Sequence, residues 1–484
     1  MSRTIVIQPV SRIEGHAKIS IQLDEGGQVE SAKFHVTEFR GFEKFCEGRP
    51  FQEMPGLMSR VCGICPVSHV LASSKAGDML LGVEIPPAAG KQRRLVNYAQ
   101  ILQSHALSFF YLSSPDLMLG MDAPAANRNL MGLMETDRDF LRRGIRLRQF
   151  GQRVIELTGG KRIHPGWSGP GGVHTRFTAE HRAEILPWIP EAIESITIAI
   201  ERLKRVLDSF RREIEHMGNF PSLFLATVSP EGGLEYYEGL IRMVDASGDV
   251  VAEGLDPRQF FTYLGEASEA YSFMKAPFYL PLGYPGGCYR VGPLARLNVA
   301  RFAGTPMADR ELVEFKQRGK AGVVCESFHY HLARLIEMLH SAERIRELLE
   351  DAGLYDENIQ AKASLNRREG VGSCEAPRGT LFHRYQVDKD GLMTKADLLI
   401  ATAQNHQAMN LAVEQTARGF LAPLSGNDTP DSGILNRIEA AIRCYDPCLS
   451  CSTHALGQLP LVIEVVSAGG EVLRRIARAE SCPA

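Results

Sequence analysis

Arg60-Val61-Cys62-Gly63-Ile64-Cys65-Pro66-Val67-Ser68-His69 and Asp446-Pro447-Cys448-Leu449-Ser450-Cys451-Ser452-Thr453-His454 carry the two Cys-x-x-Cys pairs of a 484-residue chain. A fold that unites these pairs must close the beginning of the chain onto its end. A proline stands where a helix would start in each stretch, at Pro66 and Pro447, which predicts both pairs at helix N-termini. There the positive end of the helix dipole favours the thiolate, the form that binds metal. Two such pairs are the usual signature of a closed zinc site, yet zinc ribbons keep their pairs within tens of residues and these lie at opposite ends. Spacing alone leaves three readings open: structural zinc, a redox-active soft-metal centre, or unrelated cysteines.

Upstream of the first pair, Lys18 to Leu23 and Val29 to Val36 alternate apolar and polar residues around the turn Asp24-Glu25-Gly26-Gly27, predicting an antiparallel hairpin. Past Pro66 the period becomes helical. Lys91 to Leu112 reads as one long helix, Ile193 to Phe210 as a second and Phe328 to Leu348 as a third, each with apolar residues at three-four spacing. The stretch 221–320 mixes turn signals with short β-rich runs such as Leu223 to Val228. The expected fold class is α+β, predominantly α: a central bundle of long helices with an N-terminal antiparallel hairpin and a peripheral mixed elaboration. One body spans 1–454, β-rich over 1–60, helical over 61–220, mixed over 221–320 and again helical over 321–454. The glycine-rich Gly166 to Gly172 lacks the Lys-Ser/Thr of a phosphate loop and reads as an irregular surface connection.

Composition narrows the class. Hydrophobic residues make up 44% and charged residues 23%, near soluble globular averages. Lys+Arg 54 against Asp+Glu 57 gives a net charge of -3, with no long basic run to suggest nucleic acid. No apolar stretch is long enough to span a membrane and the start shows no export signal, so a cytoplasmic location is expected. Ten cysteines are too few for a disulfide scaffold and read as metal or redox chemistry.

The full motifs, Arg-x-Cys-Gly-x-Cys-x-x-x-His and Asp-Pro-Cys-x-x-Cys-x-x-His, resemble the large subunit of nickel-iron hydrogenases. Arg12 to His16, Arg40 to Glu43, His164-Pro165 with Pro170 to Val173, and Glu375 to Leu381 fit the same family, so the resemblance covers nearly the whole chain. Glu38 to Phe45 and Asp446 to Pro460 look most like its cytoplasmic, NAD-linked bidirectional branch. The resemblance implies that Cys62 and Cys448 are terminal nickel ligands, that Cys65 and Cys451 bridge nickel and iron, and that carbon monoxide and two cyanides complete the iron. H2 would be split heterolytically, with a terminal thiolate or Arg378 taking the proton and Asp446 orienting the guanidinium. The family further assigns Glu14 as first proton relay, His69 as donor to a bridging sulfur, and Pro377 and Thr402 to the surroundings of the iron ligands. Glu43 and His454 carry over as ligands of a hard divalent cation, magnesium. One departure is Ser108, which follows His105-Ala106-Leu107 where many members have aspartate.

Electrons would leave through a small subunit carrying an iron-sulfur cluster to diaphorase subunits with FMN and NAD, since the paired cysteines here are committed. The unpaired Cys46, Cys288, Cys325, Cys374, Cys444 and Cys482 match no motif. Family chains end near the motif histidine after a dedicated endopeptidase acts, whereas this one continues for 30 residues, 484 minus 454. Residues 455–484 therefore read as a cleavable extension, with a hairpin from Leu461 to Leu473 that is expected to keep the C-terminal pair from seating. The competing readings are a non-catalytic scaffold of related fold, which would lack both cysteine pairs, and a structural zinc protein.

Overall fold

The computed structural model describes residues 3–424 and 429–453, and as backbone strands 462–466 and 472–477. The chain opens with strands β1 (Arg3–Ile7), β2 (Ala17–Leu23) and β3 (Val29–Val36) in one antiparallel sheet, Ile5 opposite Ile21 and Ala17 opposite Val36. The two expected strands are present, and β1 joins them because Ile5 and Ile7 can cover the same buried face. β2 alternates buried and half-buried residues along its length, the pattern of a sheet with one face on the core.

Helix α1 (Pro66–Leu81) starts with proline at its first position and stops at Gly82, whose φ of 66° is the left-handed cap that ends helices. Helix α2 (Pro87–Ala106) begins just after the Pro86 break and runs on as a π-helical stretch, Leu107–Ser113. The long helix expected there exists, but its last turns widen, a distortion common at functional sites. Helices α3 (Arg138–Gly159) and α4 (Ile189–Val206) follow, α3 packed on α2. The mixed elaboration holds β4 (Leu223–Val228), β5 (Leu240–Val244), β6 (Val250–Leu255) and β7 (Tyr289–Arg290), ordered β7-β4-β5-β6, with only the β7–β4 pair parallel. The short helix α5 (Pro293–Val299) leads back into the body, where α6 (Tyr330–Glu350) lies against α2 and α4.

The stretch expected to be helical to residue 454 contains a second antiparallel sheet: β8 (Glu369–Ala376), β9 (Gly379–Val387) and β10 (Met393–Leu399). β8 lies directly on α1. A Cβ at Gly372 would fall 1.9 Å from the carbonyl oxygen of Ala72, so only glycine lets strand and helix meet this closely. Both faces of β8 are buried, which erases the alternation that would mark a half-exposed strand. Helices α7 (His406–Phe420) and α8 (Ser432–Tyr445) complete the body, α7 packing on β3 and α8. The expected tail hairpin is present as β11 (Val462–Val466) paired antiparallel with β12 (Val472–Ala477).

The glycine-rich connection is not a surface loop. Ser168–Gly169 and Gly172–Val173 form a small buried ladder, and the buried guanidinium of Arg93 donates to the carbonyls of Gly169 and Gly172 at 2.7 and 3.0 Å. Among the described residues no helix is long and apolar enough to cross a membrane.

Candidate metal centre

The two cysteine pairs meet in the core. Cys65 caps the N-terminus of α1 as expected, and Cys62 lies one turn upstream in extended conformation. The amides of Ile64 and Cys65 donate to the Cys62 sulfur at 3.1 and 3.4 Å. The second pair arrives differently from the expectation. It follows the C-terminus of α8, where Asp446 takes a left-handed φ of 51°, and Cys448 precedes a single 3-10 turn, Leu449–Cys451. The left-handed residue reverses the chain so that Cys448 and Cys451 enter the pocket side by side.

Sulfur separations are 3.1 Å for Cys62–Cys448, 3.5 Å for Cys65–Cys451 and 3.0 Å for Cys448–Cys451. All four sulfurs lie within 4.8 Å of one another, and all four residues are buried. Hydrogen bonds from Cys448, Cys451 and Cys62 hold the Cys65 thiol well below its ordinary pKa, while burial pushes Cys448 and Cys451 well above theirs. The thiolate is thus favoured at Cys65 over Cys448 and Cys451. Only a cation among them lets all four ionise in so dry a place. Four soft donors at such spacing suit a soft transition metal at about 2.3 Å from sulfur.

A small cavity adjoins the sulfurs, lined by Pro377, Arg378, Leu381, Ala401 and Thr402 among others. Pro377 and Arg378 form the turn joining β8 to β9, since Ala376 pairs with Gly379. Arg378 Nη2 lies 2.9 Å from Asp446 Oδ2, Nε donates to the Asp446 carbonyl at 2.5 Å, and Nη1 donates to Ser104 Oγ at 3.3 Å. Burial works against its charge, but Asp446 and the surrounding thiols override that and keep Arg378 well above the ordinary arginine range. Ser108, in the π-helical stretch, lies against the Asp446 carboxylate. Thr402 Oγ1 accepts the amide of Cys448 at 3.1 Å, so this hydroxyl steadies the ligand loop with its own proton still to give.

His69, one turn along α1 from Cys65, is in hydrogen-bond reach of that sulfur, and its Nδ1 lies 3.2 Å from His383 Nε2. Glu14 is no solvated hairpin glutamate. Its carbonyl accepts from Leu449 N at 3.2 Å and its carboxylate from Ser450 N at 3.0 Å, and it bridges to Cys448 in parallel. A Cβ on Gly15, at φ 87°, would fall 2.7 Å from Leu449 Cβ, so the close passage of these two loops needs glycine there. Arg12 ties the same loop to Asp116 at 2.5 Å, and Asp116 in turn binds Arg443 at 3.1 Å. Glu43 accepts from Leu398 N at 2.7 Å, and burial raises its carboxyl to about 7. Its expected partner His454 lies outside the described residues, although Thr453 O accepts from Arg40 N and Gly41 N at 2.9 and 3.2 Å, beside the helical turn that carries Glu43.

Cys448 and Cys451 sit with the other two sulfurs, and β11 and β12 follow further along the chain. Backbone contacts of Leu449, Ser450 and Thr453 tie the segment to Glu14, Arg40 and Gly41. Of the unpaired cysteines, Cys46, Cys374 and Cys444 are buried and Cys288 and Cys325 half-buried, while Cys482 lies outside the described residues. Residues that sequence reading passed over include His383, Asp116, Arg443 and Ser104. Only His383 carried a signal, standing two residues from Tyr385 on the strand that follows the Arg378 turn.

A profile described as nickel-dependent hydrogenase matches residues 40–134 and 236–454, and one described as HoxL-like matches residues 4–39. The chain is 42% identical over 493 residues to the NAD-reducing hydrogenase HoxS subunit beta of Cupriavidus necator, covering 99% of this chain and 100% of that one. It is 38% identical over 479 residues to a component of the F420-non-reducing hydrogenase of Methanothermobacter marburgensis, covering 98% and 99%. A crystal structure of an NAD+-reducing [NiFe]-hydrogenase in the H2-reduced state superposes with a TM-score of 0.90 at 43% identity, over 93% of this chain and 99% of that one. The Ni-Fe-Se hydrogenase of D. vulgaris Hildenborough shares the fold, with a TM-score of 0.76 at 24% identity.

Proposed function

Because the chain belongs to the nickel-dependent hydrogenases, we propose that it is the H2-cleaving subunit of an NAD-linked complex, with Cys62, Cys65, Cys448 and Cys451 holding a nickel-iron centre. The observation that carries this is the convergence of four buried sulfurs from opposite ends of the chain onto one pocket closed by Arg378 and Asp446. A non-catalytic scaffold has no use for that donor set, and a structural zinc site needs no arginine-lined cavity beside it. In the bridging assignment, Cys65 and Cys451 would help hold both metals, and Cys62 and Cys448 would hold nickel. The cavity of Pro377, Arg378 and Thr402 suits small iron ligands such as carbon monoxide and cyanide, with one hydroxyl to donate to them.

When bound, such a centre supplies heterolytic cleavage of H2. The chain's own residues then manage charge and protons. Arg378, gripped by a carboxylate, a carbonyl and a hydroxyl, acts as a fixed cation over the pocket rather than as the base. A cysteine thiolate takes the proton, and Glu14, anchored to the ligand loop through Ser450 N, receives it next. His69 donates to the Cys65 sulfur. Glu43 with His454 would hold magnesium.

Electrons leave through a small subunit with an iron-sulfur cluster to diaphorase subunits bearing FMN and NAD. The nine described cysteines are all free thiols, which agrees with a cytoplasmic setting. We take residues 1–454 as the working body and 455–484 as an extension removed by a maturation endopeptidase. The curated relative aligns along 99% of this chain, whereas the crystallographic one leaves unmatched about the share that the tail occupies.

The test is to purify the complex with the chain ending at Ala484 and with it cut after His454, and to assay H2-dependent reduction of NAD and of NADP. The cut form is expected to reduce NAD and the uncut form to be inactive. Equal activity in verified uncut protein would refute the processing, and activity toward neither acceptor in the cut, metallated form would refute the NAD link.

A further inference from the structure

The turn that presents Arg378 is not self-sufficient. Ala376 pairs with Gly379, so Pro377 and Arg378 are the two central residues of a hairpin. Two-residue hairpin loops favour primed turns, which need a positive φ at the first central residue, and a proline ring fixes φ near -65°. Arg378 is not among the residues of positive φ either. The loop therefore lacks a primed turn, the positive φ falling instead on Gly379 at 138°, and the buried contacts around it fix its direction.

Arg296 on α5 provides such contacts. Its side chain is fully buried, as are those of Glu337 on α6 and Glu375 on β8. Arg296 Nε donates to Glu337 Oε1 at 2.5 Å and Nη2 to Glu337 Oε2 at 2.7 Å, while Nη1 donates to Glu375 Oε2 at 2.7 Å. The two remaining protons go to the turn itself: Nη1 to the carbonyl of Ala376 at 2.9 Å and Nη2 to that of Pro377 at 3.0 Å. All five guanidinium donors are thus spent. Glu337 is braced by His105 Nε2 at 2.7 Å, and Glu375 by Thr227 N at 2.9 Å and Thr380 Oγ1 at 2.6 Å. Proline has no N–H, so its carbonyl is its sole main-chain hydrogen-bonding group, and pinning that carbonyl fixes the peptide plane from which Arg378 departs. From the other side the Arg378 carbonyl rests on Gly292, where a Cβ would fall 2.7 Å from it.

We propose that Arg296 is the positioning residue for Arg378: anchored by Glu337 and Glu375, it holds the Ala376 and Pro377 carbonyls and so sets the direction in which Arg378 reaches the cysteine pocket. This rests on the reading above that Arg378 works at that pocket. Lysine keeps the charge but offers three donors without the planar fork, so it cannot hold both carboxylates and both carbonyls. A misplacement of about 1 Å at a catalytic group can cost on the order of a hundredfold in rate.

The experiment compares Arg296→Lys, Glu375→Gln and Arg378→Lys in the purified complex for nickel and iron content, for kcat and KM toward H2, and for the Arg378–Asp446 separation by crystallography. Arg296→Lys is expected to keep both metals and the parental KM, to lose ten- to a hundredfold in kcat, and to show Arg378 displaced from Asp446. Glu375→Gln should fall between it and the parent. A folded, metallated Arg296→Lys with parental kcat, or with Arg378 still 2.9 Å from Asp446, overturns the proposal. Failure of both Arg296→Lys and Glu375→Gln to fold makes the network a folding element and overturns it equally. Parental kcat in Arg378→Lys sinks instead the reading of Arg378 on which it rests.

Discussion

Glu14 shows how one side chain can be both a staple and, in the proposed reading, a relay. Its carbonyl and carboxylate each take a backbone amide from the loop between Cys448 and Cys451, so the group that would receive the proton is fixed to the loop that carries two of the sulfurs. Glu14→Gln keeps an acceptor for Ser450 N and removes only the titratable proton. The chain should therefore fold and retain nickel and iron, while hydrogen/deuterium exchange into water falls about a hundredfold or more. Exchange at the parental rate would remove Glu14 from the proton path. Much at this scale was legible: the cysteines, His69, Arg378, Asp446 and Glu14 sit in short motifs whose local spacing survives folding. Asp116 and Arg443, which brace the Glu14 loop through Arg12, were not, because buried partners drawn from distant segments leave no local pattern.

Among the elements, the contact of α1 with β8 carries the site, since α1 begins at Cys65 and β8 ends at the Arg378 turn. Gly372 sets the separation of the two. Gly372→Ala places a methyl 1.9 Å from the Ala72 carbonyl, and the strand must move away. The expected cost is about 3 kcal/mol or more, read as a lowered Tm, with the Arg378 turn displaced from the cysteines. An unchanged Tm would show that the helix yields instead. The same contact explains why β8 escaped sequence reading: a strand buried on both faces and punctuated by glycine shows neither alternation nor strong β-propensity. The N-terminal hairpin and the long helices, each with one exposed face, announce themselves by period. The direction of the second cysteine pair was misread for a related reason, because Pro447 follows a left-handed Asp446 and leads only into a single turn, where a local rule expects a helix.

Taken as a whole, the molecule buries a set of neutral histidines in its helical core. Burial holds His105, His329 and His406 at about 4 and His340 at about 3, against an ordinary 6.5. Below pH 6.5 the unfolded chain binds protons that the folded chain refuses, so stability is complete above 6.5 and is lost as pH falls toward 4. Burial shifts Glu43 the other way, to about 7, but one carboxyl against four imidazoles does not reverse the slope. Thermal unfolding should give a Tm that drops steadily from pH 6.5 to 4, with a loss of stability on the order of 5 to 10 kcal/mol; a flat profile would mean that these histidines are charged in the fold. The body as a whole exists to bring Cys62 and Cys65 from one end of the chain to Cys448 and Cys451 from the other. The direct measurement of that convergence is the nickel and iron content of the purified processed complex, for the parent chain and for Cys65→Ser. The parent is expected to hold one of each metal per chain and Cys65→Ser to lose both, because in the proposed assignment that sulfur would help hold both metals. Zinc alone in the parent, or nickel and iron retained in Cys65→Ser, would contradict the account.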